Sequence, residues 1–350
     1  MSQMIRQLSP GEDAQLVNAS LREGLAGLLY KNLLKFELID RLDSDSQEKL
    51  RSNYYRTVYF NLKLIHDLKE ILLPLNQNQI QVVLVQGIEL LQGIYSDIGL
   101  RSLSDIDLWV LKKYFGKLVP ILTNLGYRRD PLYPHTFRKG GTVLDIHTHI
   151  LWADRIRSRE MLLANSQNFI YQKTRFITVE GQQARSLGKY DQVLYLGLHL
   201  LKHNVDRLIW LVDIKNLVAD WKFSDWQSLL MRARELGQEK CVAQTFFLIG
   251  SLLEFQMPEE IYAKLVPLNP IEKKLLRLRQ KKGSLPEWST LILFSSGKRP
   301  FKAMLFILET LFPRPDILRQ VFAETPGLSA PQLYTRRFFQ LIKMLKPSLK

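Results

Sequence analysis

The apolar residues of this chain recur at different periods in different stretches. From residue 1 to about 75 the spacing is helical. "SPGEDAQLVNASLREGLAGLLYKNLLKF" carries helical apolar spacing, with Ser9-Pro10 suited to a helix start. "DSQEKLRSNYYRTVYFNLKLIHDLKEILLPL" predicts one long amphipathic helix ending near Pro74. The period then changes. "IQVVLVQG" is a β-branched apolar run closed by Gly87, the pattern of a buried strand. "IELLQGIYS" predicts a short helix, "DIDLWVL" a second strand, and "KKYFGKLVPILTNLGYRRD" a helix stopped by Gly126. "HTFRKGGTVLDIHTHI" sets Gly140-Gly141 between two strand-like runs and predicts a hairpin, and "FITVEGQQARSL" predicts a smaller one around Gly181. "LWADRIRSREMLLANSQ" predicts a helix or an irregular connection. From Lys189 the period is helical almost to the end, with "QKKGSLPEWSTLILFSSGKRP" as the expected loose connection. The predicted organisation is a helical segment over 1–75, an α/β core over 76–188 and a helical region over 189–350.

Composition narrows the class. The chain is 46% hydrophobic and 24% charged, an ordinary globular balance. No apolar run reaches the roughly 18 residues needed to span a bilayer, and the N-terminal stretch has no signal-peptide core, so the expected location is the cytoplasm. A single cysteine, Cys241, excludes an internal disulfide and a cysteine-built zinc site, and is expected to be buried and structural. The net charge of +15 is concentrated late: residues 261–350 hold 17 Lys or Arg against 5 Asp or Glu. Such a region suits nucleic acid, anionic lipid, a phosphate-rich substrate, or simply water. The aromatic residues of "LFILETLFPRPDILRQVF" and "LYTRRFFQLIKMLK" fall at helical spacing and are expected as core contacts. The second stretch is basic and amphipathic, so it also suits a membrane surface. No nucleic-acid-binding motif accompanies it.

The candidate chemistry begins at "GLRSLSDIDLWV". On a strand, residues i and i+2 share a face, so Asp105 and Asp107 project together while Ile106 and Leu108 point into the core. Two adjacent carboxylates repel and raise each other's pKa, a penalty that a divalent cation removes. Mg²⁺, which favours one or two carboxylates plus phosphate oxygens, is the expected ion. Asp145, in "VLDIHTH", faces the same metal if its strand pairs beside the Asp107 strand. Three acidic ligands on adjacent strands suit two ions and in-line phosphoryl transfer. The bland reading of a D-x-D pair is a solvated pair at a loop–strand junction. His147 and His149 are expected on the Asp145 face, as ligand, phosphate contact or orienting partner, or as a histidine hydrogen-bonded in a polar cleft. His199 and His203 lie four apart on a predicted helix, with Arg207 following on the same face and Lys202 beside it. That stripe suits a triphosphate or an acceptor, or a structural anchor through Asp213. The intervening "LLK" lacks the glutamate of H-E-x-x-H, which argues against zinc hydrolysis.

"VVLVQGIELLQGIYSDIGLRSLSDIDLWV" resembles the core of the nucleotidyltransferase superfamily that includes DNA polymerase β, and most closely its branch of largely uncharacterised bacterial nucleotidyltransferases. Gly87, Arg101, Asp105 and Asp107 match that branch's first strand end and its Arg-x-x-x-Asp-x-Asp strand. Asp145 and His147 match its Asp-x-His strand. His199, His203, Arg207, Trp210 and Asp213 match its His-x-x-x-His-x-x-x-Arg-Leu-x-Trp-x-x-Asp pattern. The resemblance implies an α+β fold with a mixed-sheet nucleotidyltransferase core between helical segments. It also implies a Mg²⁺-dependent transfer of a nucleoside monophosphate from a nucleoside triphosphate to a hydroxyl. Asp105, Asp107 and Asp145 would then be catalytic metal ligands, with Gly87, Arg101, Ser104, His147, His203 and Arg207 around the nucleotide. The acceptor is open: protein, sugar, small molecule or RNA. One departure stands out. Gly87-Ile88 occupies the place where most of the superfamily has Gly-Ser or Gly-Gly against the phosphates. It favours the alternative of a non-catalytic relative that binds nucleotide or a partner protein. A metal-dependent phosphodiesterase is the third reading.

Overall fold

The structure, a computed structural model, describes residues 11–345 apart from Pro326. Its helices, in chain order, begin with α1 (Glu12–Arg22), α2 (Ala26–Lys35) and α3 (Ser44–Gln77). The sheet region interleaves β1 (Val82–Val85), α4 (Gly87–Gly93), β2 (Ile106–Val110), α5 (Lys112–Asn124), β3 (Arg128–Arg129), β4 (Thr136–Lys139), β5 (Thr142–His147), α6 (Gln167–Tyr171), β6 (Arg175–Val179) and β7 (Gln182–Ser186). The helical region follows as α7 (Lys189–Lys202), α8 (Ile209–Leu217), α9 (Phe223–Glu235), α10 (Glu239–Leu253), α11 (Glu259–Tyr262), α12 (Pro270–Lys282), α13 (Ser289–Ser295), α14 (Pro300–Leu311), α15 (Pro315–Val321) and α16 (Ala330–Leu345). No helix among the described residues is long and apolar enough to cross a membrane.

The strands form one seven-stranded mixed sheet in the order β3-β4-β5-β2-β1-β7-β6. β1 runs antiparallel to β2 and parallel to β7, and β2 runs parallel to β5. Both expected hairpins form, β4–β5 through Gly140-Gly141 and β6–β7 through Glu180-Gly181, with positive φ at all four turn residues. Alternation along the strands sorts side chains onto two faces. Leu84, Ile106, Leu108, Leu144 and Ile146 meet Leu64, Leu68 and Ile71 of α3 and Leu118 and Leu122 of α5. Val83, Val85 and Trp109 face the other way, into a core continuous with α7 to α10. The aspartates of β2 and β5 lie on this second face.

The N-terminal helices act on the loop that precedes β2. Gly24, at φ 75, breaks the first predicted helical run into α1 and α2; Ser9 and Pro10 lie outside the described residues. Asn61 of α3, fully buried, donates to the carbonyls of Ile98 (2.6 Å) and Arg101 (2.7 Å) and accepts from Leu103 N–H (3.2 Å). The backbone of α2 comes so close that a Cβ on Gly27 would lie 2.1 Å from the Gly99 carbonyl oxygen. Gly27→Ala therefore forces α2 and the loop apart. It is expected to cost roughly 1–3 kcal/mol, read as a lower denaturation midpoint.

Several expectations are corrected. α3 is the one long helix expected and runs on through Pro74 to Gln77. Leu72 and Leu75 are fully buried and hold the last turn in place, while Asn78 N–H and Nδ2–H both donate to the Pro74 carbonyl. The stretch expected as a loose connection contains α13, whose Leu293 and Phe294 are buried. Of the C-terminal aromatics expected in the core, Phe306 and Phe322 are buried and Tyr334 is packed against a buried cluster, whereas Phe312, Phe338 and Phe339 are 41%, 53% and 59% exposed. Cys241 is buried, as expected.

Candidate active site

Asp105 ends the loop held by Asn61, and Asp107 follows inside β2. The parallel pairing of β2 with β5 sets Asp145 in register with Asp107. Carboxylate oxygens of Asp105, Asp107 and Asp145 all lie within 4.8 Å of one another. Each is oriented by a neighbour. Ser104 Oγ–H donates to Asp105 Oδ1 (2.9 Å), Thr136 Oγ1–H to Asp145 Oδ1 (2.5 Å), and His147 Nε2–H to Asp107 Oδ1 (2.8 Å). Burial, with the charges of Asp107 and Asp145, pushes the Asp105 carboxyl up to about 7. Burial works to lower His147, but the hydrogen bond and charge of Asp107 outweigh it and raise its pKa. His149 is not on this face. β5 ends at His147, so the chain turns and His149 Nδ1 accepts from Leu151 N–H (3.1 Å) inside a buried bend.

The triad floors a cleft of about 400 Å³ between the sheet and the helical region. Gly87, Arg101, Ser104, His147, His203 and Arg207 also line it. Arg101 is engaged elsewhere. Its Nε–H and Nη2–H go to Asp213 of α8 at 3.0–3.1 Å, and its Nη1–H to the Ser102 carbonyl (3.3 Å). Arg101 also covers Gly87, where a Cβ would lie 2.5 Å from its Nη1. Leu103 Cδ2 would lie equally close, so a larger residue at Gly87 would have to displace the side chains of Arg101 and Leu103.

The pattern from His199 to Asp213, expected on one helix, is split. α7 stops at Lys202, because Asn204 and Val205 take left-handed φ values of 53 and 55 and Val205 N–H closes back on the Leu200 carbonyl. Arg207 consequently projects from a loop, and Asp213 belongs to α8. The rings of His199 and His203 remain close, with centroids 4.6 Å apart. Burial holds His199 well below its ordinary pKa, and burial with the Lys202 charge pushes His203 down to about 3. Both are neutral at pH 7 and present hydrogen bonds, not charge.

Sequence reasoning named Lys202 and Arg207 but passed over Arg155, which lines the same cleft, and Trp152, which lies beside Lys202. Lys202 lies 4.0 Å from the Trp152 ring centroid and makes no ion pair among the described residues. Burial, and the charges of Arg159 and Arg155, push its ammonium down to about 7. Trp152 itself is held at φ 58, an unusual backbone for a bulky residue. The only signal for Arg155 was the arginine-rich run "DRIRSRE" in a segment without periodicity.

A family model described as "Uncharacterised nucleotidyltransferase" matches residues 9–254, which include every residue of the cleft. The chain belongs to this nucleotidyltransferase family. No curated protein matches it. Two solved structures are similar to it. The antibiotic-resistance factor ANT(2'')-Ia is 13% identical with a TM-score of 0.34, over 50% of this chain and 94% of that one. An antigenic nucleotidyltransferase-like protein from Paracoccidioides brasiliensis is 14% identical with a TM-score of 0.35, over 55% of this chain and 93% of that one. Within the family member described here, the triad fits a metal: three carboxylates converge, and their mutual repulsion is the cost that a bound hard cation removes.

Proposed function

We propose that this chain transfers a nucleoside monophosphate from a nucleoside triphosphate to a hydroxyl group of an acceptor. The observation that carries the reading is the convergence of Asp105, Asp107 and Asp145 in a cleft that Arg155, Lys202 and Arg207 also line. The acceptor oxygen bonds to the α-phosphorus, the bond from that phosphorus to the bridging oxygen breaks, and pyrophosphate leaves. Asp105, Asp107 and Asp145 would hold one or two Mg²⁺ ions, which supply Lewis-acid polarisation of the triphosphate and neutralise developing charge. Asp145, with one oxygen fixed by Thr136, accepts the hydroxyl proton. His147 fixes the orientation of Asp107. Lys202, Arg155 and Arg207 meet phosphate charge, His203 donates a neutral hydrogen bond, and Ser104 holds Asp105. Segment 76–188 thereby supplies the acids and segment 189–350 supplies Lys202 and Arg207, with 1–75 steadying the loop before β2.

The packing of Arg101 onto Gly87 favours a second reading, a relative that binds nucleotide without turning it over, because the arginine sits where the phosphates approach in the superfamily it resembles. One experiment separates them: denaturation midpoints with Mg²⁺ and each of four ribonucleoside triphosphates, alongside pyrophosphate release. A ligand at a hundredfold its Kd stabilises by about 2.7 kcal/mol. The expected result is a Mg²⁺-dependent rise with one triphosphate, lost in the Asp105→Asn, Asp107→Asn double variant. No rise with any of the four refutes the enzyme reading. A rise without pyrophosphate, across protein, sugar and RNA acceptors, favours the non-catalytic one. Lys202→Met should weaken the bound triphosphate about tenfold or more while leaving the midpoint of the free protein unchanged or higher, since a partly buried, unpaired ammonium is removed.

A further inference from the structure

We propose that α14 and α16 together form a docking surface for an anionic lipid bilayer. On α14, Phe301, Met304 and Leu308 are 62%, 50% and 51% exposed, and Phe312, which ends the helix in a non-helical conformation, is 41% exposed. The spacing of three and four places Phe301, Met304 and Leu308 on a single face of the helix, which stays at least half exposed among the described residues while Phe306 of the same helix is buried. On α16, Phe338, Phe339 and Ile342 are likewise exposed, and the small cluster beneath this helix takes only Leu333 as a buried residue. The two helices are joined: Arg337 Nε–H and Nη2–H donate to the carbonyls of Leu311 (2.8 Å) and Thr310 (3.3 Å) at the C-terminal end of α14. An exposed apolar area of this extent marks an interaction site.

Charge selects the occupant. Arg299 precedes α14, Lys302 lies on it, and Arg336 and Lys343 lie on α16. α16 carries no acid, and the one acid of α14, Glu309, is turned inward, accepting from the backbone N–H groups of Arg157 (2.9 Å) and Ser158 (2.7 Å). A second copy of the chain would bring the same basic rim against this one and be repelled. A face of exposed phenylalanine, leucine, isoleucine and methionine, bordered by cations, suits the boundary between acyl chains and anionic headgroups. With no helix able to cross a bilayer among the described residues, contact would be peripheral.

The test is flotation of the full chain with vesicles of phosphatidylcholine alone, or with about a third phosphatidylglycerol, at low and high salt. Binding is expected only to the anionic vesicles, weakened by salt. A Leu308→Glu, Phe338→Glu double variant should lose more than tenfold in vesicle affinity with an unchanged denaturation midpoint, since both side chains are exposed. Lys302→Gln and Lys343→Gln should each lose about fivefold. Sedimentation velocity on the same samples tests the other occupant. Equal binding to both vesicle types, no binding to either, or a dimer that the glutamate variant dissociates overturns the proposal. Retention of an RNA oligonucleotide that the glutamate variant still holds, without vesicle binding, assigns the basic rim to nucleic acid and overturns it as well.

Discussion

Replacing Asp105 by asparagine is expected to stabilise the metal-free protein at pH 8 and to abolish nucleotidyl transfer. The carboxyl sits between Asp107 and Asp145 in a cleft that withholds water, so its pKa rises from an ordinary 3.8 to about 7. A raised acid binds a proton in the folded state over a window where the unfolded chain has lost it. Its contribution to stability is therefore present below pH 4 and disappears as pH climbs through about 7. Three pKa steps correspond to about 4 kcal/mol at most; with Asp105 partly exposed, roughly half of that is expected. In the variant, the fall in stability between pH 4 and 7 should flatten, because asparagine keeps the shape and the Ser104 contact without the charge. Mg²⁺ should lift the native midpoint at pH 8 far more than the variant's. Loss of one metal-holding carboxylate removes several kcal/mol of transition-state stabilisation, a rate loss of about 10²–10⁴-fold. A variant less stable than the native chain at pH 8 would show that carboxylate repulsion does not burden this site. Undiminished pyrophosphate release would remove Asp105 from the reaction.

The acids were legible in the sequence because strand geometry leaves little freedom. A two-residue period fixes Asp105 and Asp107 to one face, and the glycine pair at 140–141 fixes the register that leads β5 to Asp145. What pairs β5 beside β2 was carried by the family resemblance and not by any local pattern. The end of α7 was readable in principle, since asparagine is a common residue where a helix closes in left-handed conformation, yet the helical spacing of His199, His203 and Arg207 argued the other way. The cationic lining was readable only in part, as Lys202 and Arg207 beside the histidine stripe. Trp152, Arg155 and Lys202 meet only once the aperiodic stretch after β5 has folded against α7. The C-terminal aromatics show a different limit. An apolar helical position reads the same whether it meets a core or a lipid, and only the fold shows that α14 buries Phe306 and α16 buries Leu333 while Phe301, Met304, Leu308, Phe338 and Phe339 stay exposed.

The partnership of Arg101 with Asp213 joins residues 112 apart, and it yields the largest expected loss of stability. Asp213 is fully buried and accepts from Arg101 Nε–H and Nη2–H and from Tyr95 Oη–H (2.5 Å). Asp213→Ala leaves a buried guanidinium and a buried hydroxyl without their acceptor, a defect of about 3–5 kcal/mol. Chemical denaturation should show it directly; a cost under about 1 kcal/mol would mean that the network relaxes or admits water. The loop from Arg101 to Asp105 is anchored at one end by this pair, so transfer should fall with stability. The double variant Arg101→Met, Asp213→Leu separates charge from support, since replacing both members of a buried ion pair by apolar side chains of similar size is often neutral. With its guanidinium spent on Asp213, Arg101 acts as a positioning residue. The double variant should therefore regain most of the stability and come within about tenfold of native activity, given that a methionine still covers Gly87. A double variant that is stable but inactive would instead return Arg101 to the nucleotide, as the direct phosphate contact that the Arg-x-x-x-Asp-x-Asp resemblance implies.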